Sequence, residues 1–277
     1  MTVLTKTGND DRLTMRKLMI CLDVDGTIVN HQGEMSQRVR EAAREIVGRG
    51  HEVVISTGRS LGAALPIVRE LGIEHGYIVA SNGGVLAKVH GEDVQVIHRE
   101  VFDPSLALAA LWRSLPTAKY ALENERGEFL SSDVFTDASF GAESQVVDFE
   151  ELVNSKAVRV VVFSTDATAE DFGRAVQGLG LSGVTYSVGW TAWLDIAAEG
   201  TTKASGLERL RTVLKFDSDD TLAVGDGRND IEMLQWAAMG IAMGQAPDEV
   251  KEVADAVTEG VDDDGLAIVL EELLNHQ

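Results

Sequence analysis

The stretch "KLMICLDV", Lys17 to Val24, limits what this chain can fold into more than any other. It is apolar at nearly every position, so a strand made from it must be covered on both faces, as strands of parallel sheets are. The neighbouring segments supply that cover. Ser36 opens "SQRVREAAREIVGRG", in which Val39, Ala42, Ala43, Ile46 and Val47 recur at helical spacing and Gly50 closes the helix. "HEVVIST" is expected as the next strand, "SLGAALPIVRELG" as a helix interrupted near Pro66, and "YIVASNGG" as a third strand. Short connections between alternating strands and helices predict a parallel sheet with helices on both faces.

From about Val85 the rhythm changes. "VQVIHREV", "KYALENE", "AVRVVVFS" and "GVTYSVG" look like strands, with helices "SLALAALWRSL" after Asp103–Pro104 and "TAEDFGRAVQGLG" among them. The first pattern then returns: helix "TKASGLERLRTVLK", strand "TLAVGDG", helix "DIEMLQWAAM", strand "GIAMG", and a last helix "GLAIVLEELL". The chain therefore reads as one α/β unit, residues 1–85 and 191–277, split by an inserted α+β unit at 86–190. A length of 277 residues suits that division.

Charge narrows the partners. With 45 acidic and 24 basic residues the formal net charge is −21, which repels nucleic acid and anionic membrane alike. No apolar run reaches the length needed to cross a bilayer, and the start, "MTVLTKTGNDDRLTMRK", reads as a polar leader without a signal-peptide centre. A cytoplasmic location is the expectation. Cys21, the only cysteine, is expected to be a buried, unreactive thiol.

Four short stretches fall where strands should end or helices begin: "DVDGT" at Asp23, "STGR" at Ser56, "TTKASG" at Thr201 and "GDGRND" at Gly225. The carboxyl ends of parallel strands form one rim, where ligands bind. Three of the stretches belong on that rim, and the fourth can reach it from a helix start. Together they offer four aspartates, hydroxyls, one lysine and glycines with accessible backbone N–H groups. Such a set suits a hard cation and a phosphoryl group. Asp23 and Asp25 stand one residue apart, and a salt bridge, a bound cation, or chemistry needing one ionised and one protonated carboxylate could each offset their repulsion.

In this order the four stretches resemble the motifs of the haloacid dehalogenase-like (HAD) hydrolases, and "SNGG" with "GDGRNDIEMLQWAAMGIAMGQA" resembles the Cof-type branch. The resemblance implies a Rossmann-like parallel core with an inserted C2-type cap that selects the substrate. It further implies a Mg²⁺-dependent phosphatase working through an aspartyl-phosphate on a small metabolite such as a sugar phosphate. By position, Asp23 matches the nucleophile and Asp25 the general acid/base. Thr57, Gly58, Lys203 and Asn229 match the phosphoryl-binding groups. Asp23, Asp226 and the backbone carbonyl of Asp25 match the metal ligands, and Asp230 a supporting carboxylate. On these roles a cation and a division of labour explain the Asp23/Asp25 pair, with no salt bridge required, and crowding by neighbouring acids is expected to raise the pKa of Asp25. Two other readings stand beside this one: a phosphomutase on the same scaffold, and a phospho-accepting signalling module without turnover, which also gathers acids, a hydroxyl and a lysine but which the D-x-D spacing and the insert oppose.

Taken singly, most of these residues have ordinary structural roles as caps, turn formers or surface charges. Other residues keep such roles even in company. Trp112 and Trp236 are expected in the core, Trp190 and Trp193 in packing near the return from the insert, and His31 on the surface. Arg59 either meets an anionic ligand or pairs with an acid, and "VDDDG" caps the last helix.

Overall fold

A computed structural model describes residues 16–134, 143–164, 166–189 and 191–275. Residues 1–15, most of the stretch expected as a polar leader, and Trp190 lie outside them. In chain order the first elements are β1 (Met19–Leu22), α1 (Gln37–Gly48), β2 (Glu52–Ser56), α2 (Leu61–Leu71), β3 (His75–Ala80), β4 (Val85–His90) and β5 (Asp93–Arg99). Next come α3 (Ser105–Ser114), β6 (Lys119–Asn124), β7 (Phe129–Ser131), β8 (Gln145–Val146), α4 (Phe149–Asn154), β9 (Ala157–Phe163), α5 (Ala169–Gly178), β10 (Val184–Val188) and β11 (Trp193–Ala198). The chain ends with α6 (Lys203–Leu214), β12 (Thr221–Gly225), α7 (Ile231–Trp236), β13 (Met239–Ala242), α8 (Asp248–Lys251), β14 (Ala256–Val257) and α9 (Gly265–Asn275).

The first sheet runs β14-β13-β12-β1-β2-β3-β4-β5, parallel from β14 to β3 and antiparallel thereafter. β1 is covered on both faces, as its composition demands. Ile20 and Leu22 pack with α1, α2 and α9 residues such as Ala43, Val68 and Leu270, while Met19 and Cys21 face Leu207, Leu210 and Met233 on α6 and α7. Register levels the strand ends: Leu22 stands opposite Val224 on one side and Ile55 on the other. Asp23, Asp226 and Thr57 therefore leave the sheet side by side.

α2 runs straight through Pro66, contrary to the interruption expected there. The hydrogen bond that proline cannot donate would have reached the carbonyl of Gly62. Gly62 and Pro66 both lie on the exposed face, where water can serve that carbonyl.

The second sheet runs β10-β11-β9-β6-β7-β8. One face packs against α3, α4 and α5 through Tyr120, Leu122, Val160, Val162, Leu111, Leu152 and Phe172. Strand pairing moves the division between the two units away from the expected 86–190. β4 and β5 form a hairpin that pairs with β3 and extends the first sheet, and β11 pairs with β9 and β10 in the second. The tight turn after β3 makes that strand the nearest template for β4. "WLDIAA" alternates between a packed and an open face, as a one-sided sheet requires. The chain thus leaves the first sheet after Arg99 and returns after Ala198. Among the described residues, no helix is long and apolar enough to cross a membrane.

Candidate active site

Asp23 continues the line of β1, its N–H bonded to the carbonyl of Val224 at 3.0 Å. Its side chain is 7% exposed, and Oδ1 accepts from Lys203 Nζ at 2.6 Å. Lys203 is the first residue of α6, whose start is fixed by a capping box between Thr202 and Ser205. A cation is disfavoured at a helix N-terminus and in a site 1% exposed, so Lys203 needs carboxylates around it. Its second partner is Asp230 Oδ1, at 2.7 Å. The other oxygen of Asp230 accepts the backbone N–H groups of Asp226 and Gly227, at 3.1 and 2.9 Å. Gln245 closes the ring by donating to Asp226 Oδ2 at 3.1 Å and to the carbonyl of Gly26 at 2.6 Å.

Carboxylate oxygens of Asp23, Asp226 and Asp230 lie within 4.8 Å of one another. Burial, with Asp230 and Asp226 adding to it, pushes Asp23 well above the usual carboxylate range, against the pull of Lys203. Burial and then Asp230 raise Asp226 to about 6, opposed by Gln245, Lys203 and His31. Burial also works against the charge of Lys203, but Asp23 and Asp230 outweigh it and hold the ammonium above its ordinary value. Three carboxylates against one ammonium leave a formal −2 when all are ionised, a deficit that a divalent cation matches. The local backbone fits such an ion. Gly26 has φ +81°, and a Cβ there would lie 2.1 Å from Asp226 Oδ2. Both oxygens of Asp230 are already engaged, so Asp23 and Asp226 are better placed to ligate and Asp230 to hold the frame.

Asp25 stands apart from this cluster. Its side chain is 60% exposed and paired in a fork with Arg59, at 2.6 and 2.9 Å. The Asp23/Asp25 pair was expected to need no salt bridge. Each instead has one, because the chain turns after Val24 and sends the two side chains to different partners. The crowding expected at Asp25 falls on Asp23 and Asp226.

Thr57 is buried, and its Oγ1 accepts the N–H of Arg59 at 3.1 Å. A Cβ on Gly58 would meet Asn82 Oδ1 at 3.1 Å and Asn229 Nδ2 at 3.6 Å, two groups already bonded to each other at 3.0 Å. Asn82 and Ser81, both at positive φ, were not expected at the site. The "SNGG" turn was their one signal, since asparagine tolerates that conformation better than most residues. Behind Lys203 and Asn229 opens a cavity of about 220 Å³ whose far wall comes from the second sheet, with Arg159, Ser187 and Asp195. Nothing in the sequence marked that wall.

The remaining expectations divide. His31 is exposed, Cys21 is buried, and 261–263 forms a single turn before α9. Trp193 packs on Phe163, with centroids 5.8 Å apart. Trp236 is partly buried and donates to Glu208 at 2.9 Å. Trp112, expected in the core, is 39% exposed and stacked on Phe149. It lies on the outer side of α3, where helical spacing alone does not separate a buried stripe from its border.

A family model described as haloacid dehalogenase-like hydrolase matches residues 20–270. YkrA of Bacillus subtilis (strain 168) is 30% identical over 267 residues, covering 94% of this chain and 98% of that one. The 5-amino-6-(5-phospho-D-ribitylamino)uracil phosphatase YcsE of the same organism is 27% identical, covering 90% and 92%. Among solved structures, BT1666 from Bacteroides thetaiotaomicron, described with phosphatases of the HAD superfamily, superposes with a TM-score of 0.76 at 26% identity, over 97% of this chain and 98% of that one.

Proposed function

Because the chain belongs to the haloacid dehalogenase-like hydrolases, in their Cof-type phosphatase branch, we propose that it hydrolyses a small phosphate monoester at Asp23 with the help of Mg²⁺. One observation carries the reading: a buried strand-end carboxylate, Asp23, stands between an ammonium, Lys203, and two further acids, Asp226 and Asp230. Lys203 aims this carboxylate, and a divalent cation beside it would favour the ionised form that burial disfavours, leaving Asp23 poised as a nucleophile.

In the first step an oxygen of Asp23 bonds to phosphorus while the ester P–O bond breaks. The departing oxygen takes a proton from the carboxyl of Asp25, which must first leave Arg59. In the second step a water returns a proton to Asp25 and attacks the phosphorus, freeing Asp23 and inorganic phosphate. Lys203, the Thr57 hydroxyl, the Gly58 N–H and Asn229 hold the phosphoryl oxygens and stabilise the charge that builds on them. A divalent cation held by Asp23, Asp226 and the backbone carbonyl of Asp25 would screen the repulsion between nucleophile and phosphate dianion. The second unit acts as a cap that excludes water and selects the leaving group. A cavity of about 220 Å³ suits a small metabolite. The phosphorylated ribityl group in the name of the relative YcsE supports a sugar-like or polyol phosphate.

The test is Asp23→Asn. The amide is neither a competent nucleophile nor an equal metal ligand, so phosphate release should fall by several powers of ten with the fold intact. More than about a tenth of wild-type activity in protein free of contaminating enzyme overturns the covalent step. Rapid quenching of the wild type should trap a hydroxylamine-labile phosphoenzyme. Isomer formation without phosphate release would instead mark a phosphomutase.

A further inference from the structure

The side of the second sheet turned toward the first carries a row of charges that the phosphoryl chemistry leaves unused. Glu123 of β6 stands opposite Arg159 of β9. On β11, Asp195 stands opposite Val161, two residues beyond Arg159 and so on the same face. The intervening Val160 and Val162 point the other way, into the core beneath the helices. Arg159 is 3% exposed, and its Nε donates to Asp195 Oδ1 at 2.5 Å. The other oxygen of Asp195 accepts the indole N–H of Trp193 at 2.8 Å. Glu123 is equally buried and accepts the hydroxyl of Ser81 at 2.7 Å, a bond that crosses from one unit to the other. Ser81 directly precedes Asn82, the partner of Asn229. The row is thereby tied to the phosphoryl loop at one end and opens into the 220 Å³ cavity at Arg159 and Asp195.

Burying such a row is costly before its charges are paired, and well-packed apolar residues would serve stability as well or better. Its value lies in what it presents to the cavity. Arg159 and Arg99 are balanced by Glu123 and Asp195, Arg99 being close enough to act on Glu123. On the cavity side Arg159 is matched by Asp195, and across from them Arg228 is paired with Glu249 beside Glu232, so apart from Lys203 at the phosphoryl end the lining offers fixed donors and acceptors without surplus positive charge. It suits uncharged oxygens and gives no purchase to a second anionic group.

We propose that Arg159, oriented by Asp195 and Glu123, contacts the uncharged oxygens of the leaving group and so determines which phosphate esters are accepted. This rests on the phosphatase reading above. Hydroxyl-bearing monophosphates should be preferred at least tenfold over bisphosphates of the same carbon skeleton.

The experiment compares kcat/KM for hexose and pentitol monophosphates, a hexose bisphosphate and p-nitrophenyl phosphate, which has no hydroxyl on its leaving group. The first variant combines Arg159→Met with Asp195→Asn, removing both charges together so that neither is left buried alone. Asn keeps an acceptor for Trp193. The ratio of kcat/KM for the hydroxyl-bearing esters to that for the aryl ester should fall at least tenfold, mainly through KM. Arg159→Lys should recover part of it, since a lysine keeps the charge without the planar fork. If the double variant does not fold, Asp195→Asn alone decides, with an expected fall of at least threefold. A ratio unchanged within twofold in a folded, active variant overturns the role of Arg159, as does a wild type that prefers the bisphosphate. A wild type that releases phosphate from none of these esters overturns the phosphatase reading itself.

Discussion

At the scale of single residues, the site is a balance of charges that water cannot screen. Asp226 shows the balance in measurable form. Its folded value of about 6 lies above the ordinary 3.8, so in metal-free protein the fold favours its protonated form. The resulting stabilisation is fully present below about pH 4 and is lost as pH rises toward 6. A divalent cation binds the ionised form, so it should reverse that loss and grow more effective over the same window. Thermal melts in chelator and in excess Mg²⁺ should therefore diverge between pH 4 and pH 7. Parallel curves would remove Asp226 from the metal site. Ca²⁺, with its larger and looser shell, should raise the melting temperature without restoring phosphate release.

The elements carry these residues into place, and α6 does so by lying unusually close to the turn after β3. A Cβ at Gly206 would fall 2.7 Å from Val79 Cγ1 and 2.9 Å from Gly83 Cα. Two effects oppose each other in Gly206→Ala. Helix propensity favours alanine by about 1 kcal/mol, whereas overpacking a tight contact costs about 1–3 kcal/mol. The contact includes backbone, which yields little, so overpacking should win. Urea unfolding should show a net loss of about 1 kcal/mol or more. Phosphate release should fall with it, because α6 must shift and its first residue is Lys203. A more stable variant would show that the packing has room to relax. Legibility at this scale was uneven. Ser36, Ser60 and Thr202 all cap helices through side-chain oxygens, as their sequence positions suggest. Pro66 misled, since a proline signals a break but not whether the orphaned carbonyl has water at hand.

For the molecule as a whole, strand pairing redraws the boundary between the two units and changes how they should be separated. Removing 86–190 would strip the first sheet of its β4–β5 hairpin and leave β11 without partners. Joining residue 100 to residue 199 keeps the first sheet whole and removes the second entire, and Glu100 and Glu199 line one small cavity together, so a short linker spans them. The trimmed protein should keep slow, Mg²⁺-dependent cleavage of an aryl phosphate, whose leaving group needs little help from Asp25. It should lose discrimination among natural esters and most of its kcat/KM for them. Unchanged kinetics with natural esters would show that the second unit is no cap.

The sequence alone determined the parallel sheet, since an apolar strand such as Met19–Leu22 has no other stable home. It also determined that Asp23, Thr57 and Asp226 share a rim, because chain direction and strand alternation are local properties. Only the tertiary structure decided which charges meet. Lys203 and Asp23 are 180 positions apart, Arg59 takes Asp25 across 34, and Arg159 reaches Asp195 from a neighbouring strand. A local pattern says which face a side chain leaves from. Its partner depends on register and helix placement, and these are set by the packing of the whole core.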